Sequence, residues 1–324
     1  WGFNLENGQK LWGPTEPQGS WDFTVATKHA AAYGRLFSFG MAGILYCYDI
    51  KTGELLWTYP VNVPYLSESK WSGNYPACTM LIADEKVYLF TGEHSPDDPK
   101  ERGSPLVCVD INGNMLWRIP FYGSHWAANP AIADGYLVYM NAYDNRIYCF
   151  GKGQTKIELE ASPEVVAEGS SVLIKGRVLD MSPAVEGTPC VADEDMAPWM
   201  EYLVMQKPMP QSVKGVPVQL YAIAEDGTTI YIGETTTDPL NGGVFRLLWT
   251  PPDEGTYIIT AVFPGSESYW DSYASTAVGV VAAEGAAAPT LPTTEILIAA
   301  VAVVGAIAIA DLIINIYTLR KQHK

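Results

Sequence analysis

Positive charge is scarce in this sequence of 324 residues. Lys and Arg number 20 against 36 Asp and Glu, and there are only four His. No basic stripe exists to neutralise phosphates, which argues against nucleic-acid binding. The compact motifs of catalysis are missing too: there is no Gly-rich phosphate loop, no HExxH, no GxSxG and no paired-Cys zinc site. With one of the four histidines in the C-terminal tail, a catalytic constellation has little to draw on. Also absent at the start are an initiator Met, a basic n-region and an apolar h-region.

What is present is repetition. The phrase NLENGQKLW (4–12) returns as YDIKTGELLW (48–57) and VDINGNMLW (109–117), so Trp12, Trp57 and Trp117 close similar units. A second alignment runs on cysteines: Tyr46-Cys47-Tyr48-Asp49, Val107-Cys108-Val109-Asp110 and Tyr148-Cys149-Phe150. A period of roughly 40 to 45 residues with four short strands per unit is the pattern of a β-propeller blade. In the second unit, strands a to d are expected at 25–33, 35–40, 44–50 and 54–57. In the third, b to d fall at 86–92, 105–111 and 114–117, with the extra length at 93–104. A last unit runs from 129 to about 151.

These residues resemble the repeats of PQQ-type (quinoprotein-like) β-propellers, whose blades carry a c strand, an Asp-x-x-x-Gly turn and a d strand ending in Trp. The resemblance covers 1–152 and implies an all-β partial propeller of about three blades and a stray strand. That is too few to close a ring, so the expectation is that further blades precede Trp1. The family also includes quinone-dependent dehydrogenases. These would need calcium or a lanthanide held by Glu, Asn and Asp near the axis, a stacking Trp and a base, and no such set can be assembled from 1–151.

From Gly153 the pattern changes to short alternating strands. TKIELEASPEVVAEGSSVLIKGRVLD (155–180) reads as two strands, 216–238 as a hairpin across Asp226-Gly227, and 244–281 as three more. Such spacing suggests an antiparallel sandwich. EGTYIITAVFPGSESYWDS (254–272) resembles the end of a bacterial-type Ig-like repeat, so an Ig-like sandwich is expected over 153–282, with a long insert at 181–215. A small-residue and Pro linker follows at 283–295.

Ile296 to Leu319 carries no charge except Asp311 and is long enough to cross a hydrocarbon core. Arg320, Lys321 and Lys324 then place the tail, 320–324, in the cytoplasm. The expected localisation is a single-pass type I cell-membrane protein with the bulk of the chain extracellular, which requires an export signal ahead of Trp1. This build is similar to archaeal surface proteins.

Candidate sites follow from these placements. The repeat tryptophans close outer strands, so blade packing is favoured over quinone contact. Cys47, Cys108 and Cys149 occupy one register in different blades, too far apart to bridge, and are expected as buried free thiols. Cys78 and Cys190 remain, one in each domain; a bridge between them is possible. Trp21, Trp71 and Trp126 follow d strands and should share one face with the 93–104 insert, which holds His94, Asp97, Asp98, Glu101 and Arg102; His125 adjoins Trp126. Trp21, Trp71, His94, Arg102, His125 and Trp126 are the candidate partner-binding rim, weighed against loops folded over the blade ends. Asp193-Glu194-Asp195 could supply oxygen ligands to calcium or form a solvated acidic turn; no other cofactor is suggested. In the membrane segment Asp311 and Asn315 share a face, and Ala302 and Ala306 offer small-residue spacing on another, so a membrane partner is expected there. Snorkelling of a protonated Asp311 is the alternative. The sequence thus favours a non-catalytic binding or scaffold protein, either a free-standing adhesion or envelope component or an accessory subunit of a membrane complex, over an exported quinone-dependent dehydrogenase. A propeller scaffold for envelope-protein assembly, like the bacterial outer-membrane insertion lipoprotein, is a third reading; the C-terminal membrane helix in place of an N-terminal lipid anchor argues against it.

Overall fold

A computed structural model describes residues 1–16, 18, 28–62, 73–92, 100–124 and 129–283. Within them the chain is all-β, with a propeller-like series of small sheets followed by two larger sheets. Strands β1 (Gly2–Phe3) and β2 (Lys10–Trp12) form a hairpin. Strands β3 (Lys28–Ala32), β4 (Arg35–Phe39), β5 (Ile44–Asp49) and β6 (Leu55–Pro60) make one antiparallel meander. A second comprises β7 (Ala77–Ala83), β8 (Lys86–Thr91), β9 (Pro105–Asp110) and β10 (Met115–Pro120). Three strands, β11 (Ala131–Ala133), β12 (Tyr136–Asn141) and β13 (Arg146–Phe150), form the third sheet.

The expected strands hold to within a few residues, because alternation and turn chemistry act locally. Sheet-on-sheet packing explains why the c strands are apolar on both faces. Phe37, Phe39, Leu45 and Cys47 of one sheet share a core with Val87, Leu89, Val107 and Val109 of the next. Phe90, Leu106, Ile119 and Phe121 then share another with Leu137 and Tyr139 of the third sheet. Cys47 pairs across its ladder with Trp57, and Cys108 with Trp117, so the repeated thiol and indole are neighbours on adjoining strands.

The second half contains β14 (Thr155–Ser162), β15 (Val165–Ala167), β16 (Val172–Asp180) and β17 (Thr188–Pro189), then helix α1 (Met196–Met205). It continues with β18 (Pro217–Ala224), β19 (Thr229–Thr236), β20 (Val244–Trp249), β21 (Gly255–Phe263) and β22 (Ser272–Val281). One sheet has β14 on one edge of β16 and both β17 and β20 on the other; its partner runs β15-β22-β21-β18-β19. Ile157, Ile174, Val178 and Phe245 from the first sheet meet Leu220, Ile259, Ala261 and Val278 from the second in one core. This is a β-sandwich. The region read as two strands, 155–180, holds three. Pro163 stops the first ladder, and β15 crosses to the other sheet to lie parallel to β22.

The 181–215 insert folds as β17, a 3-10 turn at Asp193–Asp195 and α1. Pro198 is tolerated in the first turn, and the acidic run before the helix complements its dipole. Gln206 ends the helix in the left-handed region at φ 56°. Helix α1 touches both halves. Met196 packs on the sandwich core, whereas Met200 and Met205 pack against the propeller core that contains Trp117, Tyr148 and Phe150. The expected membrane helix at 296–319 lies outside the described residues; among those described, no helix is long and apolar enough to cross a membrane.

Candidate functional site

Two features of the repeat could carry function: the seams between sheets and the end where the loops gather. The seams are built from the motif itself. Asp49 orders the β5–β6 turn by accepting the amides of Lys51 and Thr52, both at 2.8 Å. Those amide hydrogen bonds hold its carboxyl below the usual range. Gly53 then sits at φ 73°, which glycine reaches without strain. It is needed for a second reason: the Trp12 ring lies so close that a Cβ on Gly53 would come within 2.4 Å of it. Trp12 Nε1 donates to the Ile50 carbonyl at 3.0 Å. The next seam repeats the arrangement, with Trp57 Nε1 donating to the Ile111 carbonyl at 3.1 Å over Gly113. Arg35 reinforces it by donating to the same Ile111 carbonyl and, at 3.2 Å, to Asn112 Oδ1. Trp117 stacks on Phe150 at 5.9 Å. The repeat tryptophans are thus seam residues.

The thiols follow the seams. Cys47, Cys78, Cys108 and Cys190 are buried and unbridged, so the possible Cys78–Cys190 disulfide is not formed. Burial pushes Cys78 up to about 11 and Cys108 up to about 12, which keeps both as unreactive thiols. Cys149, expected to be buried, is exposed. The reason is that β13 pairs only with β12 among the described strands, so no outer strand covers it.

Loops that follow d strands and loops that join b to c meet at one end, as expected from propeller geometry. Val61 N donates to Gly43 O, Phe121 N to Ser104 O, Gly123 N to Thr91 O and Ala142 N to Tyr122 O. Side chains then tie these loops together. The Tyr75 hydroxyl donates to the Arg102 carbonyl at 2.6 Å, and Tyr143 donates to the Glu101 carbonyl while accepting the Ser104 amide at 2.9 Å. Asn141 Oδ1 accepts the Tyr122 and Tyr143 amides, each at 3.1 Å. Lys100 donates to the Ala142 carbonyl. Glu101 is buried here, and Arg102 beside it is exposed.

Of the rim residues, the structure places Arg102 on this end. Trp21, Trp71, His94, His125 and Trp126 lie outside the described residues, as do Asp311, Asn315, Ala302 and Ala306. Sequence reasoning missed Tyr75, Tyr143, Asn141 and Lys100. Their signal was position, since each stands in or next to a connecting loop, but a lone Tyr or Asn there is commonplace.

The acidic run of the insert is a fastener. Asp193 accepts from the Ser266 hydroxyl at 2.8 Å and from the Glu267 and Ser268 amides. Partial burial pushes its carboxyl up, but these hydrogen bonds outweigh that and hold it low. Asp195 accepts the Lys214 amide at 2.7 Å, and Glu194 pairs with the Lys214 ammonium at 2.9 Å. No three His, Cys, Asp or Glu side chains gather as metal ligands among the described residues. A quinone and its metal need such a set under a stacking indole. The described residues do not fit that group, because the carboxylates are dispersed and the repeat indoles Trp12, Trp57 and Trp117 are held in seams.

Residues 2–98 match the family model described as outer membrane protein assembly factor BamB. No curated protein matches the chain. Among solved structures, the chain is similar to the quinohemoprotein alcohol dehydrogenase of Pseudomonas putida HK5 at 13% identity and a TM-score of 0.28, over 77% of this chain and 41% of that one. It is also similar to BamB of Moraxella catarrhalis at 11% identity and a TM-score of 0.20, over 67% of this chain and 80% of that one. The computationally designed Ika4 protein aligns over 98% of its own length and 44% of this chain, at 15% identity and a TM-score of 0.24.

Proposed function

We propose that this protein is a non-catalytic scaffold, anchored in the cell membrane by 296–319, whose propeller loops present a recognition face to a protein partner. In this reading the sandwich is an Ig-like spacer that holds the face away from the membrane, and the bulk of the chain is extracellular. The observation that carries the proposal is the fastening of the loop end. Hydroxyls of Tyr75 and Tyr143 and the Asn141 amide lock the connecting loops to one another, with exposed Arg102 at the edge. A rim held by partly buried hydrogen bonds is preorganised, so little ordering entropy is lost when a partner binds. Arg is among the residue types enriched in the hot spots of protein contacts.

Co-purification from membranes in mild detergent tests this. The full chain is expected to bring down a stoichiometric partner, and Arg102→Glu to lose most of it while melting at the same temperature. A purified protein that carries a quinone absorbance band and stoichiometric calcium would overturn the proposal in favour of a dehydrogenase.

A further inference from the structure

The two sheets of the sandwich differ on their outer faces. Around β14, β16 and β20 the outward positions carry Glu158, Glu160, Lys175, Arg177 and Arg246, the mixed charge of a face in contact with water. The five-stranded sheet has no such face. Glu234, on edge strand β19, is the one charged residue in β15, β18, β19, β21 and β22 together. The ladders set Tyr231, Tyr221, Thr260 and Ser275 in one outward row, and Ile223, Ile258 and Ala277 in the next. All of these keep some exposure, whereas Leu220 and Ile259, which alternate with them, are buried in the core. The rings of Tyr221 and Tyr231 lie 5.4 Å apart, and Tyr231 is 57% exposed. Polar atoms on the face already have partners within the sheet. Tyr221 donates to Gln219 Oε1 at 3.1 Å, and the Thr260 and Ser275 hydroxyls share a hydrogen bond of 3.0 Å. Covering the face would therefore leave these groups satisfied.

We infer that this face is a homodimer interface, packed on the same face of a second copy about a two-fold axis running nearly along β21. Charge, shape and area point to that occupant. Two chains of net charge −16 repel each other, so they can meet closely only through a surface that buries almost no charge. The axis carries the two Glu234 carboxylates to opposite flanks, about 19 Å apart at the usual strand spacing, beyond the screening length of about 8 Å at physiological salt. The same axis lays β18 of one copy over β22 of the other, because these strands flank β21. Large Tyr221 and Ile223 then face small Ser275 and Ala277, the alternation by which two sheets interdigitate. Four strands about 4.8 Å apart and about 27 Å long present roughly 500 Å² of face. Two copies together cover roughly 1,000 Å², the size a specific interface must reach.

Thr260 stands at the middle of the middle strand, so the axis sets it against Thr260 of the second copy. Sedimentation of the full chain in density-matched mild detergent tests this. The parent is expected to dimerise reversibly with concentration. Thr260→Lys and Thr260→Glu should each weaken self-association about tenfold or more, because like charges then meet face to face. An equimolar mixture of the two variants should recover the dimer, which a merely misfolded chain could not do. Leu248→Lys, on the outward face of the other sheet, should dimerise as the parent does. A parent that stays monomeric up to its solubility limit would overturn the inference. So would a dimer that survives both Thr260 variants, since another part of the chain would then hold it, or a mixture that stays monomeric. A monomeric parent that brings down a different protein, lost in Thr260→Lys, would assign the face to that protein instead.

Discussion

Asp180 is a carboxylate from which water is largely excluded. It lies at the end of β16, only 4% exposed, and accepts the Ser182 amide at 2.7 Å. Burial raises its pKa; the Ser182 hydrogen bonds oppose that only in part, and the buried Cys190 thiol and Tyr269 phenol stand close enough to couple to it. A pKa raised in the folded state means that the protonated form favours folding. That stability is fully present below the unfolded carboxylate value and is lost as pH rises through the folded one. Asp180→Asn, which keeps an oxygen for the Ser182 amide, is therefore expected to be more stable than the parent at neutral pH. The two should converge below the ordinary carboxylate pKa, as read by urea unfolding across pH. At this scale the sequence was informative where a residue repeats. Cys47 and Trp57 announced their roles through their counterparts, whereas Asp180 has none, and nothing in its neighbours along the chain marks it as buried.

Helix α1 is the element whose role was hidden. The insert was visible only as an interruption, because ten residues without a polar face give no periodic signal that points to a neighbour. The structure supplies the reason for that composition: a helix with apolar residues all round is one that is covered on more than one side. Met196 faces the sandwich, and Met200 and Met205 face the propeller. Unbranched thioether side chains suit such a joint, since they fill irregular gaps between surfaces of different shape. Replacing Met200 and Met205 by Ala removes the propeller contact and leaves Met196 in place. The expected cost is about 1 to 2 kcal/mol per residue, below the range for fully buried Met, with the propeller and sandwich unfolding in separate calorimetric steps. A single unshifted transition would show that the helix does not couple the two halves.

At the scale of the whole molecule, the meander of each blade and the hairpins of the sandwich were legible because each depends on strands close in sequence. The crossing of β15 to the other sheet was not, since only contact with β22, more than a hundred residues later, defines it. The candidate face was legible as a place in the topology rather than as a set of side chains: Arg102 stands there, held by tyrosines that the sequence did not single out. For the membrane segment proposed at 296–319, Asp311→Leu is expected to leave insertion intact and reduce recovery of the proposed membrane partner several-fold in detergent pull-downs, because an ionisable group in hydrocarbon is retained where another helix meets it. Unchanged recovery would assign Asp311 to the headgroup region instead. The seams, finally, have a direction in time. Each indole reaches forward, Trp12 by 38 residues and Trp57 by 54. During synthesis at roughly 5 to 20 residues per second, every blade therefore waits on the order of seconds, its Trp uncovered, for a turn not yet made. Completion passes along the nascent chain from one blade to the next in the order of translation, and the last blade to leave the ribosome finishes the one before it.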